Sequence, residues 1–236
     1  MSRVSNQLII VSYNVHKCVG MDGRFAPERV ARVIEELNAD IIGLQEIDSS
    51  HFRCKQSDQV EYLAGATGYR AIMGPTISRH DSHYGNALLT NHSILDVRHI
   101  DLSIPRREPR GAIDVELGIN GALVRVIVTH LGLSLLERPH QFRHLHSLLD
   151  GDSHHLEILL GDFNEWYPRS RTLKSMHDHF GKPPAPVSFP SFLPLLSLDR
   201  IWVKPKKVLV DVRAHNTPLA RVASDHLPVV ATIEID

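Results

Sequence analysis

The chain is poor in cysteine, with two thiols, Cys18 and Cys54, in 236 residues. Two cysteines build neither a disulfide framework nor a zinc cage, so a reducing, cytoplasmic setting is expected. An excess of one charge is missing too: 26 Lys and Arg stand against 27 Asp and Glu, a net charge of -1. That balance speaks against a dedicated nucleic-acid coat protein and against an acidic disordered tail. No apolar run approaches the roughly 20 residues of a membrane span, so no integral span is expected. The opening MSRVSNQLIIVSYNVHK has an early Arg and then an apolar stretch shorter than the roughly 7–15 residues of a secretory core. Internal repeats, low-complexity tracts and composition breaks are absent as well. One domain over residues 1–236 is therefore expected, and 42% hydrophobic residues suffice for a sizeable core.

What is present is a succession of short apolar runs and amphipathic segments. Leu8–Val15 and Ile41–Glu46 are apolar runs of strand length, and Pro27–Leu37 places Val30, Val33, Ile34 and Leu37 at helical spacing behind a first-turn proline. Ser57 is suited to cap a helix running to about Thr67, stopped by Gly68. Strands are expected near Arg70–Met73 and Asn86–Thr90. Ala112–Ile119 and Ala122–Thr129 flank Asn120-Gly121, the strongest short hairpin signal. A helix around Arg138–Leu149, a strand Leu156–Leu160, a helix from near Pro168 and strands near Leu198–Val203, Val208–Val212 and Pro228–Ile235 complete the reading. Lys182–Pro194 reads as a long ordered loop that walls a cleft. Strands outnumber helices and one hairpin is certain to be antiparallel. The pattern points to an α/β chain of two packed sheets with helices outside.

Polar residues recur where these strands end. Asn14 closes the first, Gln45-Glu46 the second and Thr129-His130 the hairpin. Gly161-Asp162-Phe163-Asn164 follows LEILL, and Ser224-Asp225-His226 precedes the last strand. Any single Asp or Asn of this kind can be a turn or capping residue. Five such endings in one chain suggest a site, because a carboxylate at a buried strand end needs a cation or a hydrogen-bond donor.

In order, SYNVH at Ser12–His16, LQE at Leu44–Glu46, THL at Thr129–Leu131, GDFN at Gly161–Asn164, LDRI at Leu198–Ile201 and SDHLPV at Ser224–Val229 resemble the endonuclease/exonuclease/phosphatase superfamily. That superfamily includes DNase I-like nucleases, abasic-site endonucleases, neutral sphingomyelinases and inositol-polyphosphate phosphatases. GDFN and SDHLPV are specific; YN, QE and TH are weak alone. The resemblance implies a four-layer αββα sandwich of two mixed, largely antiparallel sheets. It implies a Mg²⁺-dependent phosphoester hydrolase, a phosphodiesterase or nuclease using in-line attack by water, with Mn²⁺ as a substitute ion. Glu46 would be the principal metal ligand, with Asn14 and Asp225 beside it, an oxygen set that suits a hard cation. Asp162 would orient or deprotonate the water, and Asn164 would hydrogen-bond a phosphoryl oxygen. His226 would face the phosphate with Asp199 on its other ring nitrogen, and His130 would be a second donor. Whether a histidine or the aspartate is the base stays open.

Other features have blander readings. His140 and His144 share a helical face at ligand spacing, but no Glu or Cys accompanies them and a solvated face explains them. Arg106, Arg107 and Arg110, like Arg169, Arg171 and Lys174, suit a grip on flanking phosphates or a solvated basic face. Asn86 suits an approach to the site or a strand start, and Trp166-Tyr167 suit stacking on a base, a lipid-headgroup pocket or a packed loop. The substrate is thus expected to be nucleic acid or a phospholipid headgroup, with no obligate protein partner. A non-catalytic binding module on the same fold is the alternative of another class.

Overall fold

The computed structural model describes residues 7–48, 58–79, 82–149 and 154–235. Within them run the strands β1 (Gln7–Asn14), β2 (Ile41–Asp48), β3 (Arg70–Arg79), β4 (Ser82–Thr90), β5 (Ser93–Asp101) and β6 (Gly111–Ile119). They continue as β7 (Ala122–His130), β8 (Leu156–Asp162), β9 (Asp199–Lys204), β10 (Leu209–Ala214) and β11 (Val229–Glu234). The helices are α1 (Pro27–Leu37), α2 (Gln59–Thr67), α3 (Arg138–Leu148), α4 (Arg171–Phe180) and the short α5 (Ala220–Ala223). None of these helices is long and apolar enough to cross a membrane.

Local chemistry sets the boundaries. Pro27 opens α1, where a missing N–H costs nothing, and Asn38 closes it in the left-handed region at φ 43°. The side chain of Asp58 accepts from the Val60 N–H and starts α2, which Gly68 ends at φ 77°; the expected cap, Ser57, lies outside the described residues. The helix expected from near Pro168, α4, begins at Arg171, because Ser170 supplies the cap by accepting from the Leu173 N–H. Asn120 and Gly121 take φ 51° and 84°, the paired left-handed conformation of a tight hairpin turn.

The strands form a six-stranded sheet in the order β10-β11-β1-β2-β4-β3 and a five-stranded sheet in the order β5-β6-β7-β8-β9. β1–β2 and β7–β8 are parallel and all other pairs antiparallel, so both sheets are mixed. Three apolar layers cement them. Between the sheets, Leu8, Ile10 and Ala231 pack against Val126, Val128, Leu160 and Ile201. Outside the first sheet, Val11, Tyr13 and Leu44 pack on Val30, Ile34 and Leu63 of α1 and α2. Outside the second, Leu159 and Trp202 pack on Phe142, Leu173 and Met176 of α3 and α4. The result is the four-layer αββα sandwich. The sheets approach so closely at Gly43 that a Cβ there would lie 2.2 Å from Leu160.

The strand β5 was not expected, and α5 likewise. β5 is an edge strand with no buried residue, so no apolar alternation marks it in the sequence. The last strand starts at Val229, one residue after Pro228, which has no N–H to give to a ladder.

Candidate active site

The alternation that builds the core also aims the polar strand ends. Residues two apart on a strand share a face. On β1, Leu8 and Ile10 face the opposite sheet, and Asn14 continues their parity at the strand end. On β7, Val124, Val126 and Val128 lead to His130. On β8, Leu156, Ile158 and Leu160 lead to Asp162. On β9, Asp199 precedes Ile201 and Val203 in the same way. Adjacent pairing then sets His130 beside Asp162 and Asp162 beside Asp199.

Glu46 breaks the parity. Ile42, Leu44 and Ile47 all face the helices, because the register against β4 slips between Leu44 and Ile47. The extra residue is accommodated with Glu46 at φ 58°, a left-handed conformation that costs a glutamate about 1–3 kcal/mol. That bulge delivers the carboxylate to the mouth between the sheets, where Asn14 Nδ2 donates to it at 3.2 Å.

From there a polar chain crosses the mouth. Asn14 Nδ2 also donates to Asp162 Oδ2 at 3.0 Å, while its Oδ1 accepts from the His16 N–H at 3.0 Å. Asp162 Oδ1 accepts from the Asn164 N–H at 2.9 Å. Asp162 Oδ2 lies 3.5 Å from His130 Nε2 and 3.7 Å from His226 Nε2. The other ring nitrogen of His226 donates to Asp199 Oδ2 at 2.8 Å, an oxygen that also accepts from Ser188 Oγ at 2.5 Å. Asp199 Oδ1 is buried without a hydrogen bond, so the carboxylate's charge is directed at the imidazole. Arg200, its sequence neighbour, turns to the other face and donates to Glu165 O and Ser197 O.

Asp225 lies half-buried beside His16, whose Nδ1 is 3.7 Å from its carboxylate. Burial raises the Glu46 pKa, the Asn14 hydrogen bond and His16 pull it down, and the Asp225 and Asp162 charges raise it further. Glu46 and Asp162 share the Asn14 amide as donor, and the charges of Asp162 and Asp225 are both felt at Glu46. This concentration of negative charge on oxygen atoms fits a hard divalent cation. The tighter group Asp162, Asp199 and His226 lies within 4.8 Å, the one such group among the described residues. Its internal hydrogen bonds already occupy the His226 Nδ1 and Asp199, so it is better described as a proton-handling chain. Asn14 offers its amide nitrogen, not its oxygen, to the carboxylates; its geometry gives it the task of bridging Glu46 and Asp162.

The two histidines are set to opposite charge states. Burial alone would lower His226, but the Asp199 and Asp162 carboxylates outweigh it and hold the ring up at about 10. Burial drives His130 down to about 3; Asp162 opposes that shift, and the charges of Arg110 and His226 add to it. Arg110 Nη1 faces His130 Nδ1 at 3.2 Å, and a guanidinium can only donate. Nδ1 is thus the acceptor, and the neutral ring carries its proton on Nε2, toward Asp162. The Asn164 amide nitrogen, 3.1 Å from Nε2, donates to Leu131 O at 2.9 Å.

His130 carries a pH prediction. A histidine in the unfolded chain titrates at about 6.5. With the folded value depressed to about 3, the ring's contribution is present in full above about pH 6.5 and is lost progressively as pH falls toward 3. His130→Gln is expected to lose less melting temperature than the wild type between about pH 7.5 and about pH 4.5. Equal losses would remove this assignment.

Gly161 carries another. It sits at φ 153°, and a Cβ there would lie 1.9 Å from Thr129 O on the neighbouring strand. Gly161→Ala must part β7 from β8 at the level of His130 and Asp162. A loss of at least about 2 kcal/mol is expected from the shift of the urea midpoint; an unchanged midpoint would contradict the close approach.

The proline-rich segment expected to wall the cleft does so: its Phe189 ring lies 4.8 Å from the His226 ring, and its Ser188, which the sequence reading did not single out, holds Asp199. Ser224 Oγ donates to Asn14 O at 2.7 Å and so ties the SDH turn to β1. Arg110, expected as a phosphate grip, is buried against His130, whereas Arg106 and Arg107 are exposed. Asn86 donates to Gly111 O and links the two sheets. His140 and His144 are exposed on α3 and belong to no metal cluster among the described residues. Cys18 is free and buried, and burial pushes its thiol pKa up, which suits packing and not nucleophilic attack.

Comparison with known proteins bears on the family and the fold. A family model described as the PGAP2IP C-terminal nuclease-like domain matches residues 5–177. The uncharacterized protein YbhP of Escherichia coli K12 is 27% identical over 250 residues, covering 96% of this chain and 96% of YbhP. An endonuclease/exonuclease/phosphatase from Beutenbergia cavernae superposes with a TM-score of 0.78 at 22% identity, over 97% of this chain and 72% of its own. The human nocturnin catalytic domain, solved with a bound sulfate anion, gives a TM-score of 0.69 at 21% identity, over 96% of this chain and 92% of its own. At such identities the structural likenesses speak for the fold.

Proposed function

Because the chain belongs to the PGAP2IP C-terminal nuclease-like family of endonuclease/exonuclease/phosphatase proteins, we propose that it is a divalent-metal-dependent phosphodiesterase acting through the polar chain at the mouth between its sheets. The observation that carries this reading is the continuous run Asp199–His226–Asp162–Asn14–Glu46, assembled from both sheets. Because each sheet supplies part of it, the chain acts as one domain. The free, buried Cys18 favours a cytoplasmic setting.

Glu46 and Asp225 would hold Mg²⁺, or Mn²⁺ in its place. When bound, the ion supplies Lewis-acid polarisation of a phosphoryl oxygen and neutralises charge as the transition state develops. Asn14 fixes the spacing of the two carboxylates it bridges. Asp162 holds the attacking water and takes its proton, because the His226 ring beside it is already protonated. His226, steadied by Asp199, presents Nε2–H to the phosphate; His130 presents a second, neutral N–H, and Asn164 contacts a phosphoryl oxygen. The water oxygen bonds to phosphorus, the opposite ester P–O bond breaks, and the leaving oxygen departs with a proton. Removal of one such preorganised donor costs about 10²–10³-fold in rate.

Calorimetric titration with Mg²⁺ and Mn²⁺ tests the metal assignment. Wild type is expected to bind and Glu46→Gln to bind at least about tenfold more weakly, since one carboxylate charge is lost. Equal binding by both proteins would move the ion away from Glu46.

A further inference from the structure

Three loops leave the active-site edge of the second sheet: residues 131–137 after β7, 163–170 after β8 and 181–198 before β9. Each exposes large apolar side chains. Leu135 and Leu136 are 70% and 75% exposed on the first, Trp166 and Tyr167 are 55% and 49% exposed on the second, and Phe192 and Leu193 are 57% and 58% exposed on the third. A folded monomer rarely leaves so many large apolar groups in water without a use for them.

The loops are tied together at their bases. Arg138, 2% exposed, donates to Leu133 O at 2.6 Å, and its Nε lies 3.6 Å from the Glu165 carboxylate. Arg200, 6% exposed, donates to Glu165 O at 3.2 Å and to Ser197 O at 3.1 Å. Two buried arginines thus hold three loops as one rim while the apolar side chains stay outside. The acidic residues of 131–137 and 163–170 are Glu137 and Glu165, both buried, and 187–197 has no charged residue at all. Arg169 is exposed beside Trp166 and Tyr167 in the sequence.

We propose that this rim seats the protein on a phospholipid bilayer containing anionic lipid, so that the mouth opens onto the headgroup layer. The inference rests on the phosphodiesterase reading and narrows its substrate to the headgroup ester of a membrane lipid. Tryptophan and tyrosine, apolar in body and polar at one edge, suit the depth of lipid headgroups. A rim free of exposed carboxylates and carrying Arg169 suits an anionic surface. The placement argues against a protein cap. These loops follow His130 and Asn164 and precede Asp199, so a protein seated on them would close the mouth, whereas a bilayer delivers a phosphodiester into it.

Trp166 makes the test direct, because the second of the two tryptophans, Trp202, is buried and reports nothing of the surface. The full chain is titrated with vesicles of phosphatidylcholine, alone and mixed with phosphatidylglycerol, and binding is read by co-sedimentation and tryptophan emission. Wild type is expected to sediment with the mixed vesicles, more tightly than with phosphatidylcholine alone, with emission shifted to the blue. The triple variant Leu136→Ser, Phe192→Ser, Leu193→Ser keeps Trp166 and is expected to bind at least about tenfold more weakly, as buried apolar area is lost. Its melting temperature and its hydrolysis of a soluble chromogenic diester should match the wild type. No sedimentation and no emission shift, or equal binding by the variant, would overturn the proposal. Hydrolysis of the soluble diester without vesicle binding would sink the rim and leave the phosphodiesterase standing. Vesicle binding lost in the variant, with no hydrolysis of any ester, would uphold the docking surface and remove the enzymatic reading.

Discussion

Asp162→Asn is expected to lower kcat for phosphodiester hydrolysis by at least about 10³-fold with the fold intact. Asparagine has the same shape, and its Oδ1 can still accept from the Asn164 N–H. What it loses is the charge between His226 and His130 and the ability to take a proton from water. It also sets an amide nitrogen where Asp162 Oδ2 accepts from Asn14 Nδ2, so a donor would confront a donor. KM should change far less than kcat, because the interaction matters most once charge is moving. Thermal melting under the same conditions separates this from unfolding. Activity within about tenfold of wild type, against the usual 10²–10⁴-fold worth of acid–base catalysis, would take Asp162 out of the chemistry.

The second large effect is expected from Asp199→Asn. Asp199 is fully buried and touches His226, so on the proposed reading it acts through that ring as a positioning residue. Its Oδ2 accepts from both Ser188 Oγ and His226 Nδ1, and its charge is a leading cause of the raised His226 pKa. An asparagine keeps the volume and removes that charge, so kcat should fall by about 10²–10⁴-fold. The sign of the pH effect follows. With the carboxylate gone the ring titrates lower, so any alkaline loss of activity that reports His226 moves to lower pH. Ring ¹⁵N shifts would show His226 protonated at neutral pH in wild type and titrating at lower pH in the variant. A purely structural Asp199 would leave both the pH profile and the ring shifts where they were.

The candidate site was legible in the sequence as polar strand endings and as motifs that resemble a known superfamily; the structure adds the reason they meet, which is side-chain alternation. Val128 and Leu160 are recognisable as buried strand residues, and the same count of two puts His130 and Asp162 at the mouth. The hairpin was legible because Asn120-Gly121 has few other uses. Glu46 is the instructive exception. Alternation alone sends it to the helix side, and a left-handed glutamate follows no local preference; what places it is the slip of β2 against β4, a tertiary event.

The rest was hidden for related reasons. β5 pairs only at one edge and buries none of its residues, so its backbone hydrogen bonds leave no apolar pattern behind. Arg110 looked like one of three surface arginines until the fold turned it inward against His130. Another buried arginine, Arg125, pairs with Asp114 at 2.7 Å and Glu157 at 3.1 Å across adjacent strands, a network that only register reveals. The exposed rim was hidden for the opposite reason. Leu135, Leu136, Phe192 and Leu193 have the composition of core residues, and only the structure shows that they face water.

The central claim is that this mouth hydrolyses a phosphodiester with the help of a divalent cation. The most direct test is one panel of wild type and Asp162→Asn, each with Mg²⁺, with Mn²⁺ and with chelator. The substrates are a chromogenic diester, a chromogenic monoester, plasmid DNA, single-stranded RNA and phospholipid vesicles. Cation-dependent cleavage of the chromogenic diester and of one natural substrate, lost in Asp162→Asn, is the predicted result. Cleavage of nothing by wild type with either ion, together with no cation binding, would contradict it and leave a binding module on the same fold.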